Sequence, residues 1–348
     1  MPARFVKESE STLNRDGGIK MFYYMSGTML PIVAFIGVIF AFLATCFFIG
    51  KFMEYLPKDI GREFAHDGKL SAGKPRGAGF IFILVFLIST MLFAHVDMEI
   101  FVYMILVFAA MMTGFLDDAS KNPWGEYKKG ILDFIIAVVV AITYLKYNPN
   151  SVYLAMADVT FYIHPVIYGI LIVILVWTSI NVTNCADGVD GLSGTLTIVT
   201  IMSIYVVNNV LGNVSQMNYI NLLFSVCILG YLWYNATPSK LLMGDAGSRA
   251  MGIFIAISIL KTGSPFLYLL VAIVLILDGG LGLIKVFLLR FCKIHILKNI
   301  RTPLHDQVRK VNGWSNTQTV FRFAIIQIVV SVATIYMIYV LNIGLMNR

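Results

Sequence analysis

The sequence predicts an all-α polytopic membrane protein of about ten transmembrane helices, with its N-terminus outside and its active site on the cytoplasmic face. Three observations carry this expectation. Of 348 residues, 58% are hydrophobic and 13% charged, with mean hydropathy +0.81; a soluble domain carries about 25% charged residues. Uncharged stretches at 21–50, 159–186 and 191–239 reach or exceed the roughly 17 to 25 residues a bilayer demands. Alternation of period two is absent, which argues against a barrel.

Residues 1–20 are polar and mixed in charge and read as an N-terminal tail; 21–348 reads as a single integral membrane domain. The run at 21–50 is too long for a signal-peptide core and lacks a small-residue cleavage pattern, so it is taken as the first span. Further spans are expected near 79–95, 100–116, 130–146, 163–181, 190–209, 218–235, 249–261, 265–289 and 321–345. Lys58, Arg62, Lys69, Lys74 and Arg76 follow span one; Lys121, Lys128 and Lys129 follow span three; Lys240 follows span seven. Arg290, Lys293, Lys298, Arg301, Arg309 and Lys310 follow span nine. The loops at 95–99, 147–162 and 209–218 hold no Lys or Arg, so the basic loops are expected to be cytoplasmic. The four cysteines lie in or beside apolar segments without CxxC spacing and read as small buried hydrophobes.

The acidic clusters fall on the same side as the basic loops. Asp117 and Asp118 end span three, Asp245 follows span seven, and His305 follows span nine. Asn181, Asn184, Asp187 and Asp190 recur every three residues after span five, on one side of a helix end. Adjacent carboxylates at a membrane border are costly unless a cation compensates them; Lys121 is in reach of both if the helix continues one turn. Clustered carboxylates suit a hard divalent cation such as Mg²⁺, which commonly bridges substrate phosphates. Phosphoryl transfer needs little beyond that metal, an in-line nucleophile and cations that spread charge. Gly244-Asp245-Ala246-Gly247-Ser248 reads as a Gly-flanked turn able to approach an anion closely. Asn235 stands beside Trp233 and Tyr234, which an interfacial aromatic belt explains; the amide is left over. The basic, Gly-rich stretch from Lys69 to Gly79 offers contacts to a diphosphate or an anionic headgroup.

Four stretches together resemble the polyprenyl-phosphate N-acetylhexosamine-1-phosphate transferase family. They are Asp117-Asp118-Ala119-Ser120-Lys121, Asn184 with Asp187-Gly188-Val189-Asp190-Gly191, Tyr234-Asn235 with Gly244 to Ser248, and Gly313-Trp314-Ser315 with Phe321-Arg322-Phe323. The last points to the family's muramoyl branch. The resemblance implies a ten-helix bacterial inner-membrane enzyme, often a homodimer. It would move phospho-MurNAc-pentapeptide from UDP-MurNAc-pentapeptide to undecaprenyl phosphate with Mg²⁺, giving lipid I and UMP.

Residue by residue, the resemblance implies Asp117, Asp118, Asp245 and His305 as catalytic, with Asp245 and Asp118 on the metal. Lys69, Lys121, Asn181, Asn184, Asp187, Asp190, Asn235, Gly244 and Ser248 would surround the uridine and diphosphate. Direct attack of the lipid phosphate with Asp117 as base is expected; a covalent aspartyl-phosphate step is the rival. The chain departs from the family at His305-Asp306-Gln307, where three histidines are usual, and at Pro75-Arg76-Gly77-Ala78-Gly79, where a Thr-rich stretch is usual. Both departures touch the substrate side and leave a GlcNAc-1-phosphate relative as the alternative. A multi-span transporter is the alternative of another class. It would need ionisable residues at midspan, and Asp133, Asp278 and Lys285 come nearest to that pattern.

Overall fold

The computed structural model describes residues 30–61, 71–120, 122, 124–213 and 215–346. The expected tail at 1–20 lies outside them, as do Lys69 and Lys121. The regular elements of the described chain are helices apart from one hairpin. Its elements are α1 (Leu30–Phe52), α2 (Gly79–Phe93), α3 (Met98–Asp118), α4 (Glu126–Tyr147), β1 (Ser151–Leu154), β2 (Val159–Tyr162), α5 (Pro165–Cys185), α6 (Leu192–Val210), α7 (Gln216–Asn235) and α8 (Gly244–Leu260). After these come α9 (Pro265–Val271), α10 (Ile273–Cys292), α11 (Leu304–Lys310) and α12 (Asn316–Met346).

Seven of these helices are long and apolar enough to cross a membrane, or eight if the bent pair α9 and α10 is one span. By that measure the described residues hold seven or eight spans against the roughly ten expected. The two remaining, α2 with 15 residues and α8 with 17, are shorter. Every residue of α8 is buried, so α8 is the bundle's central post, enclosed by protein instead of lipid. An apolar stripe is unnecessary there, because all faces meet other helices.

Boundaries shift where local chemistry overrides hydropathy. Helix α8 begins at Gly244, five residues before the expected 249, because Asp118 Oδ2 accepts the Ala246 N–H at 3.2 Å and so caps its first turn. Helix α5 runs to Cys185, so Asn181 and Asn184 lie on it. Asp187 and Asp190 instead occupy the tight turn into α6, which Gly191 closes at φ +83°. Asp97 caps α3 by accepting the Ile100 N–H at 2.8 Å.

The bend between α9 and α10 is 72° and breaks the backbone hydrogen-bond ladder inside the bundle. Gln327 of α12 repairs it: Oε1 accepts the Val274 N–H at 2.9 Å and Nε2 donates to the Leu270 carbonyl at 3.0 Å. An irregular span is tolerated where protein supplies such partners.

At one end of the bundle lie the hairpin, whose strands pair antiparallel with Ser151 opposite Tyr162, and a polar cluster. There Glu99 receives Tyr103 Oη at 2.9 Å, Asn148 Nδ2 at 2.6 Å and Lys261 Nζ at 2.9 Å. At the other end meet the C-termini of α3, α5 and α7 and the N-termini of α2, α4, α6 and α8. All four cysteines are free thiols.

Candidate active site

Helix ends alone do not make a site; here they are joined by charge. Gly114 of α3 packs so closely on α8 that an added Cβ would lie 2.3 Å from the Asp245 carbonyl. That approach sets the last turn of α3 against the first turn of α8 and brings Asp117, Asp118 and Asp245 to one cleft of about 600 Å³. Gly244 turns at φ +70°, with its missing Cβ 2.1 Å from Asp118 Oδ2. No L side chain fits both the dihedral and the space.

Two cations from other segments sit among these carboxylates. Arg76 Nη2 donates to Asp245 Oδ1 and Nη1 to Asp59 Oδ1, each at 3.3 Å, while Nε lies 2.8 Å from Asp118 Oδ1. Burial acts to lower the Arg76 pKa, but the fields of Asp118, Asp245, Asp59 and Asp187 override it and raise the value. Lys129 pairs with Asp117 Oδ2 and reaches Asp245 Oδ2 at 3.3 Å. Asp117 Oδ1 accepts the Trp124 N–H at 2.7 Å. Arg249, one turn after Asp245, lies 3.6 Å from its Oδ2 and donates to Asp133 at 2.6 Å.

The expected ladder divides into two roles. Asn181 and Asn184 line the cleft. Asn184 Nδ2 donates to Ser248 Oγ at 2.9 Å, and that hydroxyl donates to the Gly244 carbonyl at 3.1 Å; Asn181 Nδ2 bonds its own helix at Trp177. Asp190 accepts the Ser239 N–H at 3.4 Å. Asn235 is buried, with Oδ1 taking the Gly191 N–H and Nδ2 donating to the Leu241 carbonyl, both at 2.8 Å. Its amide therefore ties two turns together, and both ends face backbone. Ser248 is fully buried too, one layer behind the cleft wall.

His305 lies beneath the ladder's turn. It is 3% exposed, and a Cβ on Gly188 would lie 2.3 Å from its Nε2. Its Nδ1 meets Asp278 Oδ2 at 2.8 Å, and its backbone N–H donates to Asp278 Oδ1 at 2.7 Å. Buried Arg309, one turn after His305, donates to the Gly188 carbonyl at 3.3 Å.

The sequence places Arg76 near the substrate only as one member of the basic stretch from Lys69 to Gly79, and Lys129, Arg249 and Asp278 are not among the residues it assigns to the site. Arg76 and Lys129 resemble the other basic residues of their loops, and nothing local singles them out. The ionisable residues that came nearest to a transporter pattern are each engaged: Asp133 with Arg249, Asp278 with His305, and Lys285 with the Leu297 and Ile300 carbonyls.

No group of three His, Cys, Asp or Glu among the described residues is set to hold a metal ion by itself. Asp118 and Asp245 nonetheless fit a hard cation that also bonds substrate. Asp118 Oδ1 is buried and, although Arg76 is close, accepts no aligned hydrogen bond. It is a charged oxygen with a lone pair still open. Two carboxylates with substrate phosphates match the way Mg²⁺ is commonly held.

Residues 100–263 match the family model described as glycosyl transferase family 4. The phospho-N-acetylmuramoyl-pentapeptide-transferase of Treponema pallidum (strain Nichols) is 37% identical over 292 residues, covering 79% of this chain and 80% of the relative. Proteins of the same name from Nitratiruptor sp. and Rickettsia felis are 23% identical over 348 residues and 26% identical over 311. They cover 89% and 80% of this chain, and 94% and 84% of the relatives.

Proposed function

This chain belongs to the phospho-N-acetylmuramoyl-pentapeptide-transferases, a branch of the polyprenyl-phosphate N-acetylhexosamine-1-phosphate transferases, and from that premise we propose its reaction. It transfers phospho-MurNAc-pentapeptide from UDP-MurNAc-pentapeptide to undecaprenyl phosphate at the cytoplasmic face of a bacterial inner membrane. The products are lipid I and UMP. The observation that carries this reading is the meeting of Asp118 and Asp245 on Arg76, with Lys129 joining Asp117 to the same cluster.

Two anionic substrates must approach one point, so their repulsion is the first barrier. Arg76, Lys129 and Arg249 offset it and hold the diphosphate over the three carboxylates. An oxygen of the lipid phosphate forms a bond to the β-phosphorus, the bond to the bridging oxygen breaks, and UMP leaves. A phosphomonoester has a second pKa of about 6; Asp117 accepts the proton that remains on it. Mg²⁺, held by Asp118 and Asp245 with the substrate, would supply charge neutralisation on the diphosphate oxygens. Asn181 and Asn184 offer amides to the uridine and sugar. Asp278 orients His305 beneath Gly188, so the ladder's turn keeps its shape beside the nucleotide. The enzyme acts as a homodimer.

The deciding measurement is UMP release with UDP-MurNAc-pentapeptide against UDP-GlcNAc, each with undecaprenyl phosphate, with and without Mg²⁺. Mg²⁺-dependent release with the muramoyl donor alone is expected. Equal or greater release from UDP-GlcNAc would move the chain to the GlcNAc-1-phosphate relatives, and metal-independent release would remove Mg²⁺ from the site.

A further inference from the structure

Beyond the transfer reaction, one described segment sets exposed cations beside exposed apolar side chains. Between Asp278 and Asp306 the chain carries no acidic residue, yet it holds Lys285, Arg290, Lys293, Lys298 and Arg301. Arg290, Lys293, Lys298 and Arg301 are all exposed, whereas the cations of the cleft are met by carboxylates. Large apolar side chains lie exposed in the same segment: Phe291 is 69% exposed, Phe287 55% and Ile294 52%.

The segment is built, not trailing. Lys285 Nζ donates to the Leu297 carbonyl at 3.0 Å and to the Ile300 carbonyl at 2.9 Å. It thereby folds 293–301 back onto the end of α10. Lys293 and Leu297 take φ of +58° and +50°, conformations an L residue adopts only where surroundings hold it. The result is a lobe that continues α10 past Leu283, a residue of the cleft wall, at the end of the bundle where the basic loops lie.

Water alone does not suit such a surface. Exposed aromatic and aliphatic groups beside uncompensated cations fit the boundary where acyl chains meet phosphate headgroups. Lys and Arg stems lie along apolar surface while their charges reach the phosphates, and each cation near an anionic leaflet adds to the attraction. We propose that the lobe at 284–301 docks anionic phospholipid headgroups of the surrounding bilayer, through Arg290, Lys293, Lys298 and Arg301, with Phe287, Phe291 and Ile294 in the acyl boundary. This is a site for bulk lipid, separate from the cleft.

The test uses the full chain in phosphatidylcholine bilayers with spin-labelled phosphatidylglycerol or phosphatidylcholine, measuring the fraction of label held at the protein surface. A preference of roughly threefold or more for phosphatidylglycerol is expected, falling as ionic strength rises. The variant R290Q/K293Q/K298Q/R301Q should lose most of that preference, and R290K/R301K should keep it. Should the fourfold variant fail to fold, R290Q/K293Q and K298Q/R301Q decide in its place, each losing about half of the excess. An unchanged preference in the glutamine variants overturns the proposal. So does its complete removal by one equivalent of undecaprenyl phosphate, which would assign these cations to the substrate. No sugar nucleotide is present, so the result stands apart from whether the transfer reaction is correctly assigned.

Discussion

Asp278 accepts two hydrogen bonds from one residue, the backbone N–H of His305 at 2.7 Å and its Nδ1 side at 2.8 Å. The contact fixes Nδ1 on the Asp278 carboxyl and leaves Nε2 as the ring nitrogen turned toward Gly188. The pair joins the irregular helix α10 to α11, and both residues are almost wholly buried.

Asp278→Asn should therefore act through His305. UMP release is expected to fall roughly tenfold or more, with His305→Ala falling at least as far. The double variant should be no worse than His305→Ala alone, since residues acting as a unit are non-additive. Initial rates over the four proteins form the cycle; additive losses would separate the two residues. Asp278→Leu, which leaves both donors unmet, should also cost about 1–3 kcal/mol of stability.

Much of this was legible in the sequence, and the remainder has a physical reason. Hydropathy locates spans because lipid demands length, and Asp117, Asp118 and Asp245 are conspicuous because charge beside lipid is costly. Lys129 is not legible as a site residue, and Arg76 is legible only as one of several cations in the stretch from Lys69 to Gly79. Positive-inside bias explains a basic loop completely, and only folding selects which of its cations reaches the acids. Asn235 misleads in the opposite direction: an amide beside an apolar run suggests a ligand, while its two hydrogen bonds go to Gly191 and Leu241. Asp278 looked like a midspan charge because the 72° bend at Ala272, supported by a distant Gln327, leaves no local signature.

The role of Asn235 can be checked against the expectation of substrate contact. Asn235→Ala removes one acceptor and one donor from buried backbone partners, and should lower stability by about 1–3 kcal/mol per group left unmet. The KM for the sugar nucleotide should change little at temperatures where the variant is folded. A variant of normal melting temperature with a greatly raised KM would return Asn235 to the substrate.

Gly244→Ala tests the joint between α3 and α8. The new methyl would meet Asp118 Oδ2, and the left-handed φ of +70° adds backbone strain of order 1–3 kcal/mol. Loss of both melting temperature and turnover is expected. Gly313→Ala shares a positive φ, +67°, with nothing within 4 Å of its Cβ; it should show only the strain. Equal turnover losses at the two positions would argue that Asp118 has room to move.

Arg76 and Mg²⁺ would draw on the same oxygens, which makes their relation measurable. Removing one partner of a buried ion pair typically costs 3–5 kcal/mol, and Arg76, 19% exposed, should fall near the lower figure. Without metal, Arg76→Gln is expected to melt well below the parent protein, because Asp118 and Asp245 lose their nearest shared cation. Binding at 100 times the dissociation constant stabilises by about 2.7 kcal/mol, so saturating Mg²⁺ should restore most of that loss. The metal-induced rise in melting temperature should thus be larger in Arg76→Gln than in the parent chain, and absent in Asp245→Asn. Turnover should be lost in both variants, in Arg76→Gln because the diphosphate is no longer held and in Asp245→Asn because the metal is not. A melting curve of Asp245→Asn that still responds fully to Mg²⁺ would place the metal on other residues.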